Sequence, residues 1–82
     1  MRKLRWSHPR YNVFVATDRW IRYARSTFII SCAGVGQWML TVTTERKQNF
    51  GLPNLVHTSR VHPVYATLED AKYHAEQYRM VD

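Results

Sequence analysis

Only one cysteine, Cys32, stands among the 82 residues, so no internal disulfide can hold the fold together. Acidic side chains are scarce as well: six Asp and Glu against twelve Lys and Arg leave a net charge of +6. Three of the six, Glu69, Asp70 and Glu76, are needed on the surface of the expected C-terminal helix, so few remain for general acid-base or metal chemistry elsewhere. Glycine and proline number three each, too few for a low-complexity or collagen-like chain. The longest uncharged run, residues 26–44, is interrupted by Ser26, Thr27, Ser31, Gln37, Thr41, Thr43, Thr44 and the stretch Gly34-Val35-Gly36. A membrane span needs about 20 predominantly apolar residues, so this run is read as sheet. No charged, apolar and small-residue leader follows Met1, and with a single cysteine the expected setting is reducing and cytoplasmic.

Hydrophobic residues make up 45% of the chain and aromatics 13%, globular values that allow one small domain with one core. The positive charge is uneven. Residues 1–44 hold seven bases and one acid, whereas residues 45–82 hold five of each. An acidic partner is therefore sought at the N-terminal half.

Local pattern divides the chain into a basic extended arm (residues 1–10), a sheet region (11–66) and a helix (67–80). His8-Pro9 disfavours a helix in the arm. Residues 11–17 alternate β-branched and aromatic side chains, a strand. Residues 20–25 continue it at period 2, although Asp18 also fits as the cap of a short helix. Residues 27–33 and 37–44 flank a glycine-bearing turn and predict a hairpin, with Phe28, Ile30, Trp38, Leu40 and Val42 facing one core. Residues 45–54 read as a polar surface loop, and 55–65 as an edge strand broken at His62-Pro63. Thr67 caps the helix, and Leu68, Ala71, Ala75 and Tyr78 form its buried stripe. The expected fold is α+β: an antiparallel sheet of three to four strands with the C-terminal helix on one face.

Candidate catalytic patterns are weak. Glu45-Arg46-Lys47 with Asp18 matches the acid and E-x-K elements of some nucleases, but the E-x-K falls where a strand runs out into a loop. Cys32 with His8, His57, His62 or His74 supplies a thiol and a base, yet a lone strand cysteine is more simply a small core residue. The histidines lack metal-ligand spacing. The chain is read as non-enzymatic, without cofactor or metal.

The clearest functional pattern is the interleaving of bases and aromatics: Arg2, Lys3, Arg5 and Trp6, then Arg10, then Arg19, Trp20, Arg22, Tyr23 and Arg25. These suit a protein interface, where Trp, Tyr and Arg concentrate, or a single-stranded nucleic acid, whose bases stack on rings in a positive groove. The hairpin with its inward tryptophan, followed by Tyr65-Ala66-Thr67-Leu68-Glu69-Asp70-Ala71-Lys72-Tyr73-His74-Ala75-Glu76, resembles small bacteriophage-encoded proteins that end in a TLEEAK-like helix on a sheet. The likeness spans residues 27–80 and specifies architecture more than activity. It implies an accessory or inhibitor protein that docks on a larger host protein or nucleoprotein complex in the host cytoplasm. A single-strand nucleic-acid module is the alternative, no membrane partner is expected, and homodimerisation is left open.

Overall fold

The computed structural model describes residues 3–79, with the side chains of His62 and Pro63 outside the description. Five strands, β1 (Ser7–Arg10), β2 (Val13–Thr17), β3 (Ala24–Gly34), β4 (Gln37–Arg46) and β5 (Leu55–Tyr65), precede one helix, α1 (Leu68–Gln77). They form a single antiparallel sheet in chain order, with α1 on one face. The class is the expected α+β. The sheet has five strands rather than three to four, because residues 7–10 of the arm pair with β2. Pro9 hid that strand from the pattern, and β1 is an edge strand, the one place where a sheet tolerates a missing N–H.

Two further expectations are corrected. Residues 20–25 are mostly turn: Ile21 and Ala24 bridge at 2.8 and 3.1 Å, and Arg22 adopts φ 58, so β3 begins only at Ala24. A positive φ at arginine is invisible to a propensity argument. Tyr78 is half exposed rather than buried. The helix stops at Gln77 with Tyr78 as its C-cap, and the chain turns Arg79 inward in its place. Met80, the expected helix end, lies outside the described residues.

The core follows strand parity. Phe28, Ile30 and Leu40 are fully buried, with Ala16, Val61, Tyr65 and Leu4 around them. Pairing of Phe28 with Val42 and Ile30 with Leu40 puts these side chains on one face. Ala71 and Ala75 have no exposed surface, and their small size lets α1 lie close on the sheet. Thr67 Oγ1 accepts the Asp70 amide N–H at 3.1 Å, a cap worth about 1 kcal/mol. In β5, the register jumps between Val61 and Tyr65 opposite Leu40 and Trp38, so the irregularity falls on Pro63, where a ladder bond cannot be donated.

A polar network closes the helix side. Arg79 grips Asp18 with two hydrogen bonds of 3.0 Å and reaches Glu76 at 3.0 Å. The other oxygen of Glu76 accepts the Leu4 amide N–H at 2.8 Å. The arm, the end of β2 and the helix C-terminus are thereby joined. Of the described elements, no helix is long and apolar enough to cross a membrane.

Candidate docking interface

Helix α1 covers the sheet only from the β3–β4 turn to about the level of Asp18. Beyond it β3, β4 and β5 run on, giving the molecule a long axis of 46 Å. At this far end two connections meet: residues 18–23 between β2 and β3, and residues 47–54 between β4 and β5. The Lys47 amide donates to the Tyr23 carbonyl at 2.8 Å, fixing one to the other.

Trp20 lies beneath two cations, with Arg25 Cζ 4.5 Å and Lys47 Nζ 4.4 Å from its ring centroid. Arg25 is aimed by Glu45, its direct cross-strand neighbour, at 2.9 Å. Glu45 also accepts from the Asn54 side chain at 2.7 Å. Those two hydrogen bonds, Asn54 first and Arg25 second, hold the Glu45 carboxyl below its ordinary pKa against the opposing effect of burial. The Arg25 Nε, pressed toward the ring, has no acceptor among the described residues.

The rim of this end is apolar and open. Phe50 is 97% exposed and Tyr23 72%, with Leu52, Leu55 and Val56 more than half exposed. Tyr23, Lys47, Gln48, Asn49, Phe50 and Leu52 line one shallow groove. Phe50 and Gly51 both take positive φ, 63 and 69, and the Leu52 amide donates to the Asn49 carbonyl at 3.4 Å, the pattern of a type I′ turn. That turn favours Asn or Gly at both central positions, so a phenylalanine there is strained by about 1–2 kcal/mol. Arg22 is strained in the same sense. Two bulky side chains thus stand out from disfavoured backbone at one end of the sheet, while the third positive-φ residue without a glycine's freedom, Asn12, is of a type that tolerates it.

The residues singled out in the sequence separate into three places. Arg19, Trp20, Arg22, Tyr23 and Arg25 gather at this end. Lys3 and Arg5 are exposed on the arm, where Trp6 packs against the core. Arg10 pairs with Val13 at the opposite end of β2, and Arg2 lies outside the described residues. Phe50 and Leu52 are missed by the sequence pattern, and Lys47 enters it only as the lysine of the E-x-K; the available signal is a lone aromatic beside glycine in an otherwise polar stretch.

The E-x-K carboxylates do not converge. Asp18 joins Arg79 on the helix side, whereas Glu45 pairs with Arg25 on the opposite face. Cys32 donates to the Gly34 carbonyl at 2.9 Å, and His8 and His74 stack on Phe14 and Tyr65. Among the described residues no group of three or more His, Cys, Asp or Glu side chains is placed to hold a metal ion. No family model, no curated protein and no solved structure matches this chain.

Proposed function

We propose that this chain is a small non-catalytic docking protein, of the phage accessory or inhibitor type, that binds an acidic surface of a larger protein through the far end of its sheet. The observation that carries this reading is the exposed apolar rim of Tyr23, Phe50 and Leu52, with Phe50 held on strained backbone, Lys47 lining the same groove, and Arg22 and Arg46 adjoining Tyr23 and Lys47 in the chain. Strain of this kind is retained where a side chain must be presented in a fixed direction. An anchor that enters a partner's pocket while cations meet carboxylates at the rim is the usual anatomy of a protein interface.

The nucleic-acid reading draws on the same cations and on the open rings of Tyr23 and Phe50. It is the weaker of the two, because Trp20 already carries two cations over its ring and Trp6 packs on the core. Leu52, Leu55 and Val56 have no π-face on which a base can stack.

Phe50→Asn separates function from folding. Asparagine accepts the left-handed conformation, so the variant should gain about 1 kcal/mol in urea unfolding, while losing about 30-fold in affinity for the partner. The partner is isolated from nuclease-treated host lysate, and binding is then measured with the purified components. A complex that forms equally well with Phe50→Asn refutes the docking assignment. Oligonucleotide binding that survives as the sole interaction, with log K falling steeply with log salt, refutes the protein reading in favour of the nucleic-acid one.

A further inference from the structure

We propose that two copies of this chain pair antiparallel along β5, with Thr58 facing Thr58 of the partner subunit across a two-fold axis. The inference goes beyond the docking reading and uses none of its anchor residues. It starts from the two sheet edges, which are treated very differently. The β1 edge is four residues long, contains Pro9 and has an irregular register. The β5 edge is eleven residues long, and its residues 55–60 are all exposed. Sheets guard such edges with lysine, proline, bulges or brevity. In β5 the proline and the register jump lie beyond Val61, and the stretch 55–60 carries no lysine, proline or bulge and a single charge, Arg60, at its end.

Charge selects the occupant. The chain as a whole is +6, yet β5 contributes a single Arg60 and no acid. An acidic ligand is drawn to other parts of this surface, and a second copy meets little repulsion here. Strand parity then selects the register. An antiparallel pair related by a two-fold axis normal to the sheet places residues of like parity opposite each other, keeping both helices on one side. Centred on Thr58, that register sets Val56 against Arg60 and His57 against Ser59. The two Arg60 side chains are then offset by four residues, about 13 Å along the strand, farther than the Debye length of about 8 Å at physiological salt.

A row of threonines ends at this axis. Thr17 pairs with Thr27, Thr27 with Thr43 and Thr43 with Thr58, all on the face away from α1. The hydroxyls meet at 3.3 Å between Thr17 and Thr27 and at 3.0 Å between Thr43 and Thr58. Pairing through Thr58 continues this row across both subunits, and Thr–Thr neighbours are a favourable cross-strand combination. Six or seven paired residues make a small interface, so the dimer belongs with the weak, reversible class.

Sedimentation of the full chain across micromolar to millimolar concentration tests this. The parent should show reversible monomer–dimer exchange. Thr58→Lys places two ammonium groups face to face and should sediment as a monomer with unchanged far-UV circular dichroism; Thr58→Glu should do the same. An equimolar mixture of the two should regain the dimer, because opposite charges then meet at the axis. Phe50→Asn should dimerise like the parent. Should the lysine variant fail to fold, Thr58→Cys in a Cys32→Ser background, oxidised with glutathione disulfide, should give a covalent dimer where Val56→Cys does not. A parent that stays monomeric throughout, a mixture that stays monomeric, a dimer lost in Phe50→Asn, or equal crosslinking at both positions each overturns the proposal.

Discussion

Asp18→Ala is expected to lower stability by about 3 kcal/mol or more, because it takes from the largely buried Arg79 guanidinium the carboxylate that it grips with two hydrogen bonds. The Asp18 and Arg79 side chains are 5% and 16% exposed, so solvent does little to screen the loss. For a domain of this size, where total stability is of the order of 5 kcal/mol, the change approaches full unfolding. The same pair gives the fold a pH dependence. Burial works to raise the Asp18 carboxyl, but the hydrogen bonds from Arg79, the Arg19 amide and the charges of both arginines outweigh it and hold the pKa below its ordinary value. The Arg79 guanidinium is correspondingly raised, first by its hydrogen bond to Asp18. A carboxylate lowered by folding contributes its stability fully above the ordinary carboxylate range, about pH 4, and loses it as the pH falls through the folded-state value. Urea midpoints of the parent should therefore drop as the pH is lowered from about 5 to 3, and those of Asp18→Asn should drop less. Equal slopes for the two proteins contradict the assignment.

Phe28→Ala should be as damaging, costing about 3–5 kcal/mol through a cavity at the centre of the sheet. Phe28 has no exposed surface and lies between Ala16 on β2 and Val42 on β4, paired on both sides within the sheet. Trp38 packs against the same core but stays half-buried, 6.2 Å from Phe14 in a tilted ring contact. Trp38→Ala should consequently cost less than Phe28→Ala despite removing more atoms. Chemical denaturation of both variants decides the order, and a larger loss from Trp38→Ala places the centre of the core elsewhere.

What the sequence discloses depends on how local the responsible physics is. Alternation along residues 27–44 places Phe28, Ile30, Leu40 and Val42 on one face because side chains switch sides at every strand residue. Thr67 reveals itself as a cap three residues ahead of the amide it accepts, and Pro63 marks the disturbance in β5 for an equally local reason. By contrast, Arg79 reaches Asp18 across 61 positions, a meeting that no window of neighbours encodes. Phe50 escaped for another reason. Its isolation in a polar stretch carries no periodicity, and its outward direction is set by a backbone conformation that phenylalanine disfavours. The basic residues were legible as a charge imbalance, but their division between the arm, the turn at Arg10 and the far end of the sheet follows from pairing that composition does not contain.

The Asp18–Arg79–Glu76–Leu4 network also bears on the order in which the chain assembles. Strands β1 to β5 each meet their neighbour in sequence, so the sheet zips together through short loops, with little chain entropy lost at each step. The network instead spans separations of 61 and 72 residues, and such closures come late. Docking of the helix C-terminus and the arm is then the last event on the way in and the first on the way out. Changes within the network act mainly on the rate of unfolding and leave the rate of sheet formation almost untouched. The fold carries its latch at the joint between its two ends, where opening it exposes Leu4 and the flank of the core before any strand separates.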